Sequence, residues 1–413
     1  MTTDFISRFI AGVTMRKLFI LYPAVILLIS TIIVSCEWES TVKNDDPPRT
    51  PILNVPSDHS TLAAAISVAD DGDTIIIADG TYSNANDFNL TFKDIQLTIR
   101  SQNGPDYTII DLGANQAFIF SGGDIDTNTV IEGFKFKGNG NSTVKNGGIV
   151  SLTSASPKFV NCVFEKGRAD YGAAVYCNLS AAIFDNCTFN QNNCDEDGGA
   201  IYATDNSQPL IRDCEFTRNR AMKSGGAIYC NQAAPTIKGS LLTHNNAVSF
   251  GGGLAIQGAS PRIEDCVLIN NSAVSGGGLH LSTGSHPIIQ NCTLSGNGCS
   301  SSGSGIYASG TSGATIKHTI ISFGSGGEPI GFETTSEPNF TRSNIYGNSG
   351  GDWVGGGLPD QLNENDNFSA DPLYCDKSGE NLGLQASSPC LPTNNDFGER
   401  VGASTGECED QAD

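Results

Sequence analysis

Residues 182–202 read AIFDNCTFNQNNCDEDGGAIY, and residues 209–229 repeat the same pattern as PLIRDCEFTRNRAMKSGGAIY. Each copy holds two short apolar strands separated by Asn-rich and Gly-rich turns. Equivalent sixth positions recur 24 to 27 residues apart, at Cys162, Cys187, Cys214, Ser240, Cys266, Cys292, Thr319 and Ser343. A repeat of fixed length with strands this short predicts a solenoid.

Short strands of this kind bury an apolar face only when successive coils stack, with neighbouring strands about 4.8 Å apart. Equivalent residues should then form inward ladders. One such ladder begins at Phe159 and Phe184, a second at Phe164 and Phe189, and a row of Asn residues should hydrogen-bond along the axis. The sequence therefore predicts an all-β chain folded as a parallel β-helix of about 11–12 coils.

Three stretches resemble known families. Residues 63–82, AAAISVADDGDTIIIADGTY, are similar to the N-terminal cap of right-handed β-helix proteins of the pectin-lyase-like superfamily. The pairs FNQN with GGAI (189–192, 198–201) and FTRN with GGAI (216–219, 225–228) resemble the repeats of chlamydial polymorphic outer membrane proteins. The resemblance implies a right-handed β-helix with an N-terminal helical cap, and it implies little about activity.

The N-terminus has the pattern of an export signal. Arg16 and Lys17 precede an apolar run from Leu18 to Val34, and Ser35-Cys36 follows it, which resembles a bacterial lipobox. We expect lipidation at Cys36 and attachment to the outer membrane or cell surface through acyl chains. A single transmembrane helix is the alternative, although 17 residues are at the short end for a bilayer span.

These patterns divide the chain into four parts: a signal peptide (1–36), a polar tether (37–51), the β-helix (52–350) and an irregular closing segment (351–413). The formal net charge of −21 disfavours nucleic acid as a partner, because an acidic surface repels the phosphate backbone. The outward rows of the repeat, described below, lead us to expect a polysaccharide or a surface protein as the ligand. The N-terminal pattern leads us to expect attachment to the membrane.

Thirteen cysteines in an exported chain invite a disulfide framework. Most of those in the repeat alternate with Ser, Thr or Ala in their column, which favours small buried thiols, although stacked neighbours would also lie within disulfide range. Cys375, Cys390 and Cys408 lie in the closing segment. We predict one disulfide among them, Cys375–Cys390, because it closes the shorter loop.

The outward face of the GGAIY strand carries the candidate binding residues. Strand parity places an aromatic row on this face, formed by Tyr176, Tyr202, Tyr229, His280 and Tyr307, with Ala255 inside the row. A polar row from Asn178 to Ser309 runs beside it. Exposed aromatic faces stack on sugar rings while polar neighbours bind hydroxyls, so the pattern predicts carbohydrate binding. Strand propensity and self-stacking of Tyr are the structural alternative.

A second outward column, beside the Cys strand, alternates in charge and contains Asp185, Arg212, Lys238 and Glu264. Alternating charge is typical of structural ion pairs. In a uronate lyase, Arg212 or Lys238 would serve as the base, and Asp195 and Asp197 would be weak candidates for a Ca²⁺ site. No metal site is otherwise predicted, and no cofactor apart from a possible calcium ion.

Two classes of function remain open. The regular coils favour a non-enzymatic, adhesin-like protein that presents one long face to a glycan or a partner. The alternative is a polysaccharide lyase or glycoside hydrolase acting on an acidic polysaccharide. It predicts one coil with a long loop and convergent charges, whereas the coils from Cys162 to Thr319 differ in length by only two residues.

Overall fold

The computed structural model describes residues 52–91, 95–141, 144–333, 335–354 and 358–410. All of them belong to one compact unit, Thr50–Asp413. The predicted signal peptide, the tether and Cys36 lie outside the described residues. Within the described ranges, no helix combines the length and the apolar character that a bilayer span requires.

The described chain is a solenoid in which the coils between the two ends contribute one strand to each of three or four parallel sheets. The first sheet has twelve strands, all parallel, which confirms the predicted all-β solenoid and its number of coils. Its strands are Ile52–Val55, Thr74–Ile77, Thr98–Ser101, Val130–Glu132, Lys158–Val160, Ile183–Asp185, Leu210–Arg212, Thr236–Lys238, Arg262–Glu264, Ile288–Gln290, Thr315–Lys317 and Asn339–Thr341.

The second sheet follows the first within each coil and has eleven strands. They are Gly80–Tyr82, Thr108–Gly113, Lys135–Gly138, Val163–Glu165, Thr188–Asn190, Glu215–Thr217, Leu241–Thr243, Val267–Ile269, Thr293–Ser295, Ile320–Ser322 and Asn344–Tyr346. A single residue in the left-handed conformation bends the chain between the two sheets, as at Asn186 (φ 51°) and Asp213 (φ 53°). Asn and Asp tolerate this conformation, which explains why the motif places them just before the cysteine.

The third sheet is short and the fourth is long. The third has six strands: Arg168–Tyr171, Asn193–Asp197, Arg220–Ala221, Asn246–Ala247, Ser272–Ser275 and Gly298–Ser302. The fourth has ten: Leu90–Thr91, Phe118–Ser121, Val150–Thr153, Val175–Asn178, Ile201–Thr204, Ile228–Asn231, Leu254–Gln257, Leu279–Ser282, Ile306–Ala308 and Ile330–Phe332.

The first glycine of each GG pair makes the turn into the fourth sheet. Gly225 has φ +68°, and a Cβ atom built there would lie 2.4 Å from the carbonyl oxygen of Ile228. Only a residue without a side chain fits this turn without strain. The glycines of the motif therefore fix the direction in which the next strand leaves the turn.

The predicted ladders form the core. Phe164, Phe189 and Phe216 are fully buried, and their rings stack at centroid distances of 4.8 and 4.5 Å. Each such side chain contributes about 2–3 kcal/mol by leaving water. The ladder of Asn192, Asn219, Asn245, Asn271 and Asn297 is also buried, and each amide bonds along the axis to the next. Both predictions are confirmed.

The predicted N-terminal helix is present at Leu62–Val68. Thr61 caps it by accepting a hydrogen bond from the amide of Ala64, and Leu62, Ala65 and Ile66 are its buried residues. A short 3-10 helix, Ala85–Asp87, packs beside it. At the other end of the solenoid, Trp353 and the helix Leu358–Gln361 close the last coil.

The closing segment also runs back along the outer face of the second sheet. Its strands are Tyr374–Asp376, Asn381–Gln385 and Glu407–Cys408. They share an apolar cluster with Ile269 and Ile320 of the second sheet. The amide of Gly402 donates to the carbonyl of His318 at 2.8 Å, so backbone hydrogen bonding joins this segment to the side of the coils.

The predicted pairing of Cys375 with Cys390 is wrong. The disulfide joins Cys375 to Cys408, with their Cα atoms 6.0 Å apart. Strand pairing explains the difference, because Tyr374–Asp376 and Glu407–Cys408 both lie against Asn381–Gln385. Cys390 is instead buried beside Asn344, where its thiol is free. Ten cysteines of the described chain are free and buried, which confirms the predicted thiols of the repeat.

Candidate functional site

The fourth sheet presents the predicted aromatic row on its outer face. Parallel register aligns Tyr176 with Tyr202 and Tyr229, then Ala255, then His280 and Tyr307. Ring centroids are 5.6 Å apart between Tyr176 and Tyr202 and 5.3 Å between Tyr202 and Tyr229. His280 and Tyr307 stack at 5.6 Å. The structure therefore brings all five predicted binding residues into one row, which we call the aromatic ladder.

The ladder is set into the surface. Tyr202 is 9% exposed and His280 only 6%, although both lie on the outer face of the sheet. Burial raises the pKa of Tyr176, Tyr202 and Tyr229 above the ordinary range, so these rings stay neutral at physiological pH. Burial also lowers the pKa of His280 to about 4, so its imidazole is neutral as well.

Polar side chains flank the ladder and bond to its hydroxyl groups. The amide of Asn231 donates from Nδ2 to the hydroxyl oxygen of Tyr202 at 3.2 Å. The hydroxyl of Tyr229 donates to Oε1 of Gln257 in the next coil. These contacts orient the rings and leave amide and hydroxyl groups along one side of the ladder, which matches the predicted polar row.

A cavity of about 430 Å³ lies over the ladder at Ala255. Its wall includes Tyr229, Phe250, His280 and Tyr307, with Gln257, Ser282 and Ser309 on the polar side. The ring of Phe250 stacks on His280 at 4.5 Å. This mixture of aromatic faces and a few polar groups is typical of a ligand pocket.

Phe250 was missed in the sequence because it lies outside the repeated motif. It comes directly before Gly251, in the turn that leads into the fourth sheet. Tyr171 occupies the same place before Gly172, and its ring contacts Tyr202 edge-on at 5.1 Å. The sequence signal that identifies Phe250 is an aromatic residue directly before the turn glycine.

Charged groups lie towards the two ends of the cavity. Asp197 and Lys223 lie at one end and Glu333 at the other. The amide of Ser224 donates to Oδ1 of Asp197 at 2.9 Å, but burial outweighs this hydrogen bond and raises the pKa of that carboxyl. Lys223 is held in an ion pair with Glu196. The carboxyl of Glu333 accepts a hydrogen bond from the amide of Gly310 at 2.9 Å.

The predicted calcium candidates do not form a metal site. Asp195 accepts two hydrogen bonds from Arg168, at 2.9 and 3.1 Å, while Asp197 bonds to the backbone of Ser224. The two carboxyls therefore serve different protein donors. Across the described ranges, no group of three or more His, Cys, Asp or Glu side chains is arranged to hold a metal ion.

The two lyase candidates lie away from the aromatic ladder. Arg212 and Lys238 belong to the first sheet, and the ladder belongs to the fourth. Arg212 pairs with Asp185, and this hydrogen bond lowers the pKa of the Asp185 carboxyl. Lys238 lines a cavity that reaches Ala403 and Thr405 of the closing segment. The Arg212 contact is the structural pairing expected from alternating charge.

Sequence comparison gives one family. The model described as "Right handed beta helix region" matches residues 116–294 and 277–379. No curated protein sequence matches the chain significantly.

Two solved structures serve for comparison. The catalytic domain of a GH87 α-1,3-glucanase in complex with nigerose is similar at a TM-score of 0.51 and 14% identity, over 73% of this chain and 61% of that one. A pectate lyase gives a TM-score of 0.41 and 14% identity, over 85% and 91%. The chain thus spans about three-fifths of the glucanase domain. At this identity, the likeness to the glucanase domain shows a shared β-helix fold alone.

Proposed function

The chain belongs to the right-handed β-helix family, and from the aromatic ladder on its fourth sheet we propose that it binds a polysaccharide or glycan without cleaving it. The ligand would lie along the solenoid axis, across several coils. The exposed edges of the stacked rings, and the side of Tyr229 that faces Ala255, would pack against the apolar parts of sugar rings, and the adjoining amides and hydroxyls would bond to sugar hydroxyls.

The observation that carries this proposal is the ladder itself, together with the cavity at Ala255. Tyr202 and Tyr229 stack in register, and their hydroxyls are oriented by Asn231 and Gln257. Rings fixed in this way lose little conformational freedom when a ligand packs on them, which favours binding. The cavity volume of about 430 Å³ is enough for part of an oligosaccharide.

The carboxylates of the cavity favour binding over hydrolysis. In the cavity wall, as far as the structure describes it, the carboxylates are Asp197 and Glu333. Asp197 precedes the strand Ile201–Thr204, and Glu333 follows Ile330–Phe332, five strands along the same sheet. Each carboxyl also reaches one coil towards the other, Asp197 to the amide of Ser224 and Glu333 to the amide of Gly310, which leaves about three strand spacings, or about 14 Å, between the two carboxyls along the axis. Glycosidase carboxyl pairs lie about 5–10 Å apart, so these two cannot act on one bond.

One observation keeps an enzymatic activity as a second candidate. The raised pKa of Asp197, inside the cavity, is a property of general acids. A hydrolase or lyase acting here would also need a catalytic base. The bound ligand or a water molecule would have to supply it. Turnover is therefore the result against which the binding proposal has to be tested.

We also propose that the protein works at the cell surface, attached through lipidated Cys36. The support is the sequence pattern of the basic pair, the apolar run and the Ser-Cys end. Globomycin treatment of a bacterial expression host should cause the precursor to accumulate. Processing that is unchanged in a Cys36→Ala variant would contradict lipidation.

The test of binding uses the exported protein from Glu37 onward and a glycan array, followed by calorimetry on the glycans retained. We expect retention without turnover, and at least a tenfold loss of affinity in the Tyr202→Ala, Tyr229→Ala double variant. Asn190→Ala, on the second sheet, is the matched control and should bind normally.

Turnover is followed in parallel. New absorbance at 235 nm from a uronate polysaccharide, with or without Ca²⁺, would reveal a lyase. New reducing ends would reveal a hydrolase. Either product would overturn the non-enzymatic proposal, and the Asp197→Asn variant would then show whether that carboxyl is required.

A further inference from the structure

The aromatic ladder lacks one ring, at Ala255. Its partners in the parallel register are Tyr229 in the coil before and His280 in the coil after. Ala255 carries only a methyl group, so its side chain does not fill the place that a ring takes in the neighbouring coils. The break falls within the ladder, with aromatic residues on both sides of it.

The surrounding side chains give this position four walls. Along the solenoid axis, Tyr229 bounds it on one side, and His280, covered by the ring of Phe250, bounds it on the other. Phe250 and Gln257, which belong to the same coil as Ala255, bound it across the axis. Phe250 is 41% exposed although its ring stacks on His280, so an apolar edge faces the opening. We call this space the Ala255 pocket.

We propose that the Ala255 pocket binds one neutral pyranose ring of the ligand, held where the ladder lacks a ring. This inference rests on the proposed function and names the part of the aromatic ladder that determines which sugars bind. Ladder rings follow one another at 5.3–5.6 Å, so a stacked ring of similar thickness matches the spacing that the coils impose.

Contacts of two kinds are available to that ring. Its apolar face would pack against Tyr229 or the exposed part of Phe250, as sugar faces pack on aromatic rings, because Phe250 and Tyr307 already cover the two faces of His280. Its hydroxyls would reach Gln257, whose Oε1 already accepts from the Tyr229 hydroxyl, and Ser282 in the next coil. The combination fixes the orientation of the ring and excludes a purely apolar ligand.

Charge around the pocket favours a neutral ring over a uronate. The charged residues of the cavity wall, within the described chain, are Asp197, Lys223 and Glu333. Lys223 is neutralised by Glu196, which leaves a net negative surface. A sugar carboxylate would enter without a free cation to pair with, which costs affinity at low ionic strength.

The pocket can be filled without disturbing the coil. Gly225 and Gly251 make the same turn, with φ +68° and +65°, four residues before Tyr229 and Ala255 respectively. The backbone at 255 is therefore equivalent to a backbone that already carries Tyr. A Tyr at 255 would complete the ladder and occupy the proposed ring position.

The experiment compares wild type, Ala255→Tyr and Ser151→Tyr by calorimetry against cello-, laminari- and mannohexaose, with hexagalacturonate as the anionic probe. Ser151 aligns with Tyr176, so its variant adds a ring to the N-terminal end of the ladder, away from the pocket. Ala255→Thr, which fills less of the space, serves if Ala255→Tyr unfolds, as judged by circular dichroism.

We expect wild type to bind at least one neutral hexaose more tightly than hexagalacturonate. Ala255→Tyr should lose at least tenfold in affinity, Ala255→Thr less, and Ser151→Tyr less than twofold. Binding by Ala255→Tyr within twofold of wild type would overturn the pocket while leaving the proposed function intact. Tighter binding of hexagalacturonate would overturn the preference for a neutral ring. Absence of binding to any glycan by wild type would remove the proposed function as well.

Discussion

The side chain of Asn219 donates from Nδ2 to Oδ1 of Asn245 in the next coil, 3.0 Å away, and to the carbonyl of Phe189, 2.9 Å away. Its own Oδ1 accepts from both the backbone and the side-chain nitrogen of Asn192. One buried amide thus satisfies groups in the coil before it and in the coil after it. A buried donor that loses its partner costs more than the hydrogen bond itself contributes.

We therefore expect Asn219→Ala to lower the free energy of unfolding by about 2–4 kcal/mol, because it strands the Asn192 and Phe189 backbone groups. The midpoint of urea denaturation, followed by circular dichroism, gives the change. Asn190→Ala, on the outward face of the neighbouring strand, should cost less than about 0.5 kcal/mol. Equal losses of stability in the two variants would show that the row of buried Asn side chains has no special role.

His280 should make stability depend on pH. Its folded pKa of about 4 lies below the ordinary value of 6.5, so the unfolded chain binds more protons between these values. This contribution is fully present above pH 6.5 and is lost as pH falls towards 4. The expected loss between pH 7 and 4.5 is about 2–3 kcal/mol.

The comparison variant for this prediction is His280→Tyr, since Tyr is the usual residue of the row. The free energy of unfolding, obtained from urea denaturation at pH 7 and 4.5, should change less with pH in the variant than in wild type. The difference between the two changes should equal the amount given above. The same pH dependence in both proteins would mean that His280 titrates normally in the folded state.

The disulfide Cys375–Cys408 should stabilise the closing segment. It closes a loop with a sequence separation of 33, for which loop entropy gives about 3–4 kcal/mol. Non-reducing peptide mapping should recover the Cys375 and Cys408 peptides linked, with Cys390 free. Cys375→Ser with Cys408→Ser should expose this segment to protease before the coils. A linked Cys375–Cys390 peptide would contradict the structure.

Arg212 should be dispensable for the site. Its side chain is 44% exposed, and its guanidinium pairs with Asp185 on the first sheet, away from the aromatic ladder. Arg212→Gln should leave the midpoint of urea denaturation close to that of wild type, because exposed ion pairs contribute little, and should leave glycan affinity within twofold. A uronate lyase activity lost in this variant, with the fold intact, would restore Arg212 as a catalytic base.

Much of the fold follows from residues that repeat. Phe184 and Phe189 recur as apolar residues at the same positions in neighbouring coils, so periodicity alone places them inside. The same parity places Tyr202 and Tyr229 outside and in line. Inward and outward rows can be predicted because a parallel strand aligned in register leaves one choice of face.

Features that depend on docking could not be predicted in this way. The tail around Cys390 has no period, so its partners are decided by how Tyr374–Asp376 and Asn381–Gln385 pack on the second sheet. Phe250 was missed for a related reason, because its row varies in chemistry, with Asp197, Ser224 and Ser275 at equivalent places. The pocket arises from the combination of that row with Ala255.

The regular register also bears on how such a molecule can change over generations. From Cys214 to Cys292 the repeat advances by equal lengths, and each strand meets the same partners as the strand before it. Unequal recombination between two coils would add or remove a whole coil and leave both junctions intact. The aromatic ladder would then lengthen or shorten in whole steps of about 4.8 Å. Its reach is thus a heritable quantity that can vary independently of the chemistry of any one ring.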